Sequence, residues 1–414
     1  MKRLKSRRYL VLLFVPLVLL GVVSAPTGAS ASRVSPGADA QVVIDWQRVA
    51  IRTVYTEGLQ PPPVGALYLG FTALAVNNAV QASLRRGNTD ADAAVAMAAH
   101  GVLSEYFSAT SAANLDAALA TTLSAIPDGA RKNKGIRIGQ QAAQEMIASR
   151  AGDGRGDASI VYTVPSPTPV GVWAPVPAPP PGGMLAPWLG FVDNLVVSGP
   201  VPVDGPNSLG SAEYTADYNE VKDIGSAGPT TRTATQTQIA QFFATSNPVA
   251  QLHSALCAYL EANPIGLERT ANLFATSEAA SADTFIQTWR AKYEDRFWRP
   301  FEAIRRGDDD GNPATASEPG WTSLVFPNPP YSEYLSGHAS AVSSFAGSVR
   351  AELGDNVPLT LAGATTSRSY STLSALEADT LMSRIWAGLH FRDSMEDTYY
   401  VGHTNAERVS AALG

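Results

Sequence analysis

The stretch "FPNPPYSEYLSGHASAVSSFAGSVRAEL", residues 326–353, changes character at its centre. Its prolines predict an irregular first part, because proline lacks a backbone N–H and fixes φ. An Ala/Ser/Val pattern typical of a helix follows the histidine. Ser336, Gly337 and His338 therefore lie at a predicted helix N-terminus, where free N–H groups and the helix dipole favour a bound oxyanion. The alternative is a helix-capping serine beside an incidental histidine.

A second segment rich in cations precedes it, "TWRAKYEDRFWRPFEAIRR", residues 288–306. Lys292 and Arg299 are seven residues apart, which predicts that both lie on one face of a helix, about 10.5 Å apart along its axis. Pro300 ends that helix, because the residue before a proline disfavours helical geometry. Trp289 on the same face indicates a buried setting, in which two converging cations need an anion between them. A solvated cationic face is the alternative.

The third segment is "SRIWAGLHFRDSMEDTYYVGHTNAERV", residues 383–409. Arg384 and His390 are six residues apart, so an unbroken helix would place them roughly 240° apart, on different faces. Gly388 offers a break between them. If His390 begins a new helix after that break, the two side chains can converge.

Most of the remaining chain is Ala-rich, with apolar residues three and four positions apart between polar caps and Gly or Pro stops. Alternation typical of strands is almost absent. These patterns predict an all-α architecture of bundled helices. In the first part of the chain the helical patterns cover residues 42–58, 65–87, 89–107, 113–126 and 135–154.

Eight prolines between Val164 and Pro181 interrupt the helical pattern. Such a segment must run extended, as a polyproline-like connection. It is either a plain linker or a surface strap that Trp173, Trp188 and Phe191 pin across the helices. The sequence thus predicts a signal peptide at 1–31, an N-terminal helical region at 32–160, a Pro/Gly-rich strap at 161–232 and a C-terminal helical domain at 233–414.

The first 31 residues have the order of a secretory signal: five cations, the apolar run Leu10–Val23, then Ala29-Ser30-Ala31. We therefore expect a secreted protein, exported by the general secretory or, given "SRRYL", the twin-arginine route. The apolar run is too short to span a bilayer comfortably, and the rest of the chain has no eighteen-residue apolar run. No stable membrane anchor is predicted.

Charge and cysteine content exclude two classes of protein. The formal net charge is −7, and it becomes −12 once the five cations of the first 31 residues are removed. A surface of this kind lacks the electrostatic footprint of a nucleic-acid-binding protein. Cys257 is the single cysteine, so no disulfide framework stabilises the chain.

Taken together, the patterns K-x6-R-P, S-G-H and S-R-x5-H resemble the three-part signature of one superfamily. That superfamily joins vanadium-dependent haloperoxidases to type 2 phosphatidic acid phosphatases and bacterial acid phosphatases, and the chain is most similar to its soluble bacterial haloperoxidase-like members. The resemblance implies two helical, bundle-like halves with the oxyanion held in the C-terminal one. The matching residues are Lys292, Arg299, Pro300, Ser336, Gly337, His338, Ser383, Arg384 and His390.

The resemblance implies one of two reactions. In a haloperoxidase His390 binds the vanadium of a vanadate cofactor, and His338 acts as acid and base while hydrogen peroxide oxidises a halide to hypohalous acid. In a soluble acid phosphatase, without vanadate, His390 attacks a phosphate monoester and His338 protonates the leaving alkoxide. A non-catalytic oxyanion-binding protein is the third possibility. In each case the oxyanion is held by Lys292, Arg299, Ser336, Gly337 and Arg384.

Two further features favour the haloperoxidase. Trp289 and Tyr331 match positions where similar haloperoxidases carry pocket aromatics. The phosphatases place an aspartate four residues after the last histidine, and this position is Ser394 here, with Asp393 one residue earlier. Either side chain could accept a hydrogen bond from His390. The family also usually has proline where this chain has Leu335.

Overall fold

The computed structural model describes residues 40–174, 183–228 and 230–414, and these are mostly helical, which confirms the predicted all-α class. The predicted signal peptide lies outside the described residues, as do residues 175–182 of the proline-rich segment. The α-helices are α1 Gln41–Ile51, α2 Pro62–Arg86, α3 Ala91–Ser124, α4 Ala130–Ser149, α5 Ala212–Ile224, α6 Ala234–Ala244, α7 Pro248–Ala262, α8 Leu267–Asp295, α9 Pro300–Arg305, α10 Gly337–Leu353, α11 Leu373–Trp386 and α12 Arg392–Leu413. A hairpin of β1, Leu359–Ala362, and β2, Ser367–Tyr370, is antiparallel and pairs Leu359 with Tyr370.

Local sequence explains where the helices begin and end. Pro62 occupies the first turn of α2, where its missing N–H costs nothing. Ser336 caps α10, its Oγ accepting the backbone N–H of Ala339. Gly354 follows α10 with φ of 81°, a left-handed conformation that favours glycine. The predicted helices at 89–107 and 113–126 form one long helix, α3, with non-helical geometry at Phe107.

Helix α8 lies at the centre of the molecule. It packs against α2 on one side and against α10 and α12 on the other, while α3 and α4 form a further layer beside α2. The main hydrophobic core runs through these contacts and takes residues from both the first and the last parts of the chain. The described residues form a single compact unit. The domain boundaries at residues 160 and 232 stay predictions.

Helix α2 is long and apolar enough, by length and composition, to cross a membrane, although the sequence has no unbroken apolar run there. Its most apolar window is 89% buried inside the protein. A helix that other helices cover in this way is what the core of a soluble protein contains. The burial of α2 therefore accounts for its hydropathy without a membrane.

Both described ends of the proline-rich segment are pinned to the helices. Trp173 is buried and donates its backbone N–H to the Arg296 carbonyl at 2.8 Å, and the Ala174 N–H binds the Glu302 carboxylate at 2.7 Å. On the far side, Leu185 donates to the Pro330 carbonyl at 2.9 Å. These contacts agree with a strap rather than a free linker.

One local prediction is wrong: Lys292 and Arg299 do not share a helix. Helix α8 ends at Asp295, because Arg296 takes a left-handed conformation with φ of 55°. The next residues are extended, and Phe297 pairs with Val172 of the strap. Arg299 is then the residue that caps the short helix α9. The cations converge because the chain turns back, not because of helical periodicity.

Candidate active site

The candidate site lies where the ends of five helices, α8 to α12, meet. Lys292 comes from the last turn of α8 and Arg299 from the cap of α9, while Ser336, Gly337 and His338 begin α10. Arg384 lies in the last turn of α11 and His390 in the short connection before α12. The break predicted at Gly388 is present: α11 ends at Trp386 and Gly388 has φ of 72°. There is no room for a side chain at Gly388, because an added Cβ would lie 2.6 Å from the Gly225 carbonyl oxygen.

Lys292 and Arg299 are held by backbone carbonyls. Lys292 Nζ donates to the carbonyls of Ser332 and Glu333 at 2.8 and 2.9 Å. Arg299 donates through Nη1 to the Leu389 carbonyl at 2.7 Å. Its Nη2 group is buried and has no hydrogen-bond partner among the described residues. Carbonyl dipoles fix these side chains without neutralising their charge.

Arg384 is the least satisfied of the three cations. Its side chain is buried, and neither Nε nor Nη1 has a hydrogen-bond partner in the described part of the chain. Burial is the main cause that lowers the pKa of Arg384 to about 10. The group therefore remains a cation at neutral pH, although its charge lies out of water.

His390 has a defined tautomer. Its Nδ1 lies 2.8 Å from Oε1 of Glu333, a geometry in which Nδ1–H donates to the carboxylate. Its Nε2 lies 3.1 Å from Nη1 of Arg299, which can only donate. Nε2 is therefore the unprotonated nitrogen, with its lone pair directed among the cations. That is the nitrogen that a vanadium ligand or a nucleophile requires.

Glu333 is the functional residue that the sequence analysis missed. It is fully buried, and Oε1 also accepts the Phe391 N–H at 3.0 Å. Burial is the main cause that raises the pKa of Glu333 to about 7, against the opposing effect of Arg299. The available signal was a single acidic residue in the proline-rich stretch before α10.

The two acceptors proposed for His390 from sequence have lesser roles. Ser394 Oγ lies 3.4 Å from Nδ1, at the outer limit of a hydrogen bond. Asp393 is turned elsewhere: its carboxylate accepts the Asn207 N–H and its own N–H donates to Asp217. The prediction that Asp393 could orient His390 is not supported by its contacts, because these already use its carboxylate on another segment.

His338 lies in the first turn of α10, beside Gly337. Its Nε2 is 2.9 Å from the Phe243 carbonyl oxygen, which anchors the ring. Burial, and then the charge of Arg384, lowers the pKa of His338 well below its ordinary value, so it is neutral at pH 7. Together with Gly337 it lines a cavity of about 80 Å³. An uncharged imidazole in this position can accept a proton.

The predicted pocket aromatics lie beside the same cavity. Trp289 and Tyr331 both line it, with ring centroids 5.1 Å apart. The Tyr331 ring faces Lys292 Nζ at 4.9 Å and Arg299 Cζ at 5.1 Å, so its π-electrons contact both cations. Trp289 is fixed through Nε1, which donates to the Leu185 carbonyl at 2.9 Å. The aromatics thus connect the cations to the cavity wall.

The remaining histidines lie outside the site. His253 is buried against the Val249 carbonyl, His100 pairs with Asp116 and His403 pairs with Glu377. This agrees with the sequence analysis, in which none of the three matched the signature.

The site fits an oxyanion such as vanadate or phosphate. Three buried cations face two neutral imidazoles, with Glu333 as the carboxylate among them, and three guanidinium N–H positions have no partner in the described structure. Burial and the charge of Arg299 lower the pKa of Lys292 well below its ordinary value, a measure of this uncompensated charge. A tetrahedral or five-coordinate anion would supply both the charge and the acceptors.

Comparison with known proteins gives a consistent result. Residues 272–413 match the family described as the VCPO second helical-bundle domain. Vanadium chloroperoxidase of Curvularia inaequalis is 38% identical over 79 residues, which cover 17% of this chain and 12% of that protein. The chain thus matches only a small part of the length of this curated relative.

Solved structures resemble the chain over nearly its whole length. A bacterial vanadium-dependent iodoperoxidase superposes with a TM-score of 0.74 at 18% identity, covering 91% of this chain and 97% of the other. The holo form of a bacterial vanadium-dependent chloroperoxidase gives 0.67 at 16% identity, covering 92% and 99%. Residues 272–413 therefore match a second helical-bundle domain of the vanadium haloperoxidase type, and the chain as a whole shares the fold of these solved structures.

Proposed function

We propose that the protein is a vanadate-dependent haloperoxidase, which oxidises a halide with hydrogen peroxide to hypohalous acid. The observation that carries the proposal is the arrangement around His390: an unprotonated Nε2 faces three buried cations whose N–H groups are only partly used. The iodoperoxidase and chloroperoxidase similarities support the same reaction.

His390 would bind the vanadium of vanadate through Nε2, while Lys292, Arg299 and Arg384 hold its oxygens. The N-terminal end of α10, at Ser336 and Gly337, adds backbone N–H groups and the positive end of the helix dipole. Bound vanadate supplies a Lewis acid that activates hydrogen peroxide for attack by halide. The protein's contribution is to hold charge and geometry before the reaction begins.

His338 is the proton carrier in this proposal. It lines the cavity and is neutral, so it can take a proton from hydrogen peroxide as the latter reaches the site. Its anchor on the Phe243 carbonyl keeps the ring at one position during that transfer. The same ring can return the proton to a leaving oxygen.

The cavity favours small substrates. It has a volume of about 80 Å³ and is lined largely by prolines and aromatic rings. Hydrogen peroxide and a halide ion are of a size to fit it. The iodoperoxidase and chloroperoxidase similarities are the reason to favour the haloperoxidase over a phosphatase that uses the same anion site.

A side-by-side assay of the purified protein tests the proposal. Halogenation of a trapping dye with peroxide and bromide or chloride should require added vanadate. Hydrolysis of a chromogenic phosphate ester that vanadate inhibits would instead identify a phosphatase. Stoichiometric binding of vanadate or phosphate without either reaction would identify a non-catalytic oxyanion-binding protein.

Two variants separate binding from turnover. His390→Ala should lose vanadate retention, because it removes the ligand itself. His338→Ala should retain bound vanadate but lose at least 100-fold in halogenation, the usual scale of general acid–base catalysis. Vanadate content and rate are both measured after desalting. Normal turnover in both variants would contradict the assignment.

We also propose that the protein is exported and acts outside the cytoplasm, as the signal-like residues 1–31 indicate. N-terminal sequencing of the protein recovered from culture medium would test this. A fragment that begins shortly after Ala31 is expected.

A further inference from the structure

We propose that Glu333 is the positioning residue of the site, which fixes the tautomer and orientation of His390 by a hydrogen bond to Nδ1. It takes the role for which the related phosphatases use an aspartate after the histidine. The effect on vanadate binding rests on the proposed function, in which His390 Nε2 is the ligand. The positioning itself concerns only the protein.

The first argument is the geometry of the carboxylate. Oε1 of Glu333 lies 2.8 Å from His390 Nδ1 and 3.0 Å from the backbone nitrogen of Phe391. One oxygen thus receives two N–H groups from adjacent residues. Because the second contact holds the backbone beside the ring, the carboxylate fixes the position of the histidine as well as its proton.

The second argument is the chemistry at the other ring nitrogen. A neutral imidazole has one N–H, and Arg299 Nη1 at 3.1 Å from Nε2 requires an acceptor there. The proton must then lie on Nδ1, where the carboxylate accepts it. Without an acceptor at Nδ1, the proton could move to Nε2 and block the nitrogen that binds the anion.

The third argument is that Glu333 also connects to the neighbouring cation. Its backbone carbonyl accepts a hydrogen bond from Lys292 Nζ at 2.9 Å, and its N–H donates to the Phe297 carbonyl at 2.9 Å. The residue is fully buried among these contacts. A single residue therefore sets the relative position of Lys292 and His390.

Vanadate affinity of the metal-free protein is the first test, read by isothermal titration calorimetry with orthovanadate alone. Glu333→Ala should raise the dissociation constant about 10- to 100-fold, the usual effect of losing the partner of a ligating histidine. Glu333→Gln keeps an oxygen that can accept both N–H groups, so its loss should be less than about tenfold. Because glutamine has nearly the shape of glutamate, Glu333→Gln is also expected to disturb the fold less than Glu333→Ala. Unchanged affinity in Glu333→Ala would overturn the proposal.

A rescue variant separates positioning from general stability. Position 394 already lies near Nδ1, since Ser394 Oγ is 3.4 Å away. Adding Ser394→Asp to Glu333→Ala returns a carboxylate to that nitrogen from the following helix, and vanadate affinity should recover at least half of the loss on a logarithmic scale. No recovery would contradict the proposal. The matched control is Asp116→Asn, which removes the carboxylate partner of His100 outside the site and should leave vanadate affinity unchanged.

Nitrogen-15 NMR of histidine-labelled protein without vanadate makes the two proposals separable. The resonances of His390, assigned by comparison with His390→Ala, should show protonated Nδ1 in the parent protein and a mixture of tautomers in Glu333→Ala. If the tautomers differ in this way but the parent protein does not bind vanadate, the haloperoxidase proposal is wrong and the positioning role is retained. The same tautomer in both proteins would refute the positioning role.

Discussion

Arg384 lowers the stability of the anion-free protein and strengthens the binding of an anion. The change in its pKa from 12.5 to about 10 on burial corresponds to a cost of about 3 kcal/mol for keeping the charge. The described structure contains no acceptor for its Nε and Nη1 groups. A residue of this kind stabilises a bound anion strongly and the anion-free protein not at all.

We therefore expect Arg384→Met to increase the free energy of unfolding of the anion-free protein, by about 1–3 kcal/mol, because an apolar side chain replaces a buried charge. The same variant should lose vanadate affinity at least 100-fold. Urea unfolding in vanadate- and phosphate-free buffer measures the first effect. Arg392→Met, at a partly exposed ion pair with Glu220, is the control and should change stability by no more than about 1 kcal/mol. Destabilisation by Arg384→Met would refute the argument.

Gly337 leaves space in the cavity and is not needed for the stability of the fold. An added Cβ would lie 3.4 Å from the Trp289 ring and 3.8 Å from Phe285, which the fold tolerates. Gly337→Ala should keep or gain stability, by up to about 1 kcal/mol, yet lose at least tenfold in halogenation because the methyl group enters the cavity. Thermal unfolding and the dye assay measure the two effects. Gly210→Ala, where an added Cβ meets nothing within 4 Å, is the control; equal activity losses in both would contradict the interpretation.

At the residue scale, sequence was enough to name the side chains that converge, because order and spacing of three short motifs carry that information. It was not enough to find Glu333, whose contact with His390 joins residues 57 positions apart. Nothing in a spacing rule connects the stretch before α10 with the stretch before α12. The turn of the chain at Gly388 brings these two stretches together.

At the scale of elements, the decisive feature is the break between α8 and α9. Periodicity continued past Asp295 would have placed Arg299 on the same face as Lys292. Arg296 interrupts it by adopting φ of 55°, and its guanidinium lies over the rings of Tyr162 and Tyr293. Helix propensity could not predict this break, because one of the compensating contacts, with Tyr162, comes from the strap.

Part of the strap depends on one carboxylate of α8. Asp283 accepts the backbone N–H groups of Leu195, Val196 and Val197 at 2.6–3.1 Å. Asp283→Ala would leave these three donors without their acceptor, so we expect a loss of about 2–4 kcal/mol in unfolding free energy and faster amide hydrogen exchange at residues 195–197. Exchange mass spectrometry measures the second effect. Asp193→Ala changes an exposed neighbour and should alter neither the unfolding free energy nor the hydrogen exchange. Unchanged exchange in Asp283→Ala would show that Asp283 does not hold this segment.

At the scale of the whole molecule, the sequence predicted the helical class and most helices, since apolar spacing and caps act locally. It did not predict that the helices of the first and last thirds share one core around α8, because the pairing of helices depends on their shapes. The short hairpin of β1 and β2 was also not predicted. Strands of four residues carry too little alternation to be recognised.

The core also holds an acid that makes stability depend on pH. Glu278 on α8 is buried beside Gln47, His253 and Tyr55, and burial is the main cause that raises its pKa to about 8. The folded protein keeps this proton up to about pH 8, whereas the unfolded chain loses it near its ordinary pKa of 4.5. The contribution of Glu278 to stability is therefore complete below pH 4.5 and is lost as the pH rises through 8.

Glu278→Gln removes this titration and should be more stable than the parent at pH 9. The difference in unfolding free energy between the two proteins should rise by up to a few kcal/mol from pH 5 to pH 9. Urea unfolding at the two pH values measures it. A stability difference that is the same at both values would show that Glu278 does not titrate in this range.

The cavity in front of His338 has one more consequence. Part of its wall, Pro62 and Pro63, comes from the start of α2, and Pro248 comes from the start of α7. All three precede residue 272, where the match to the haloperoxidase domain begins. His338 and this part of the cavity wall therefore belong to different stretches of the chain. For the proposed haloperoxidase, exchanging the earlier stretch between relatives would alter the wall that oxidants and halides meet beside His338, while the residues of the anion site stay the same.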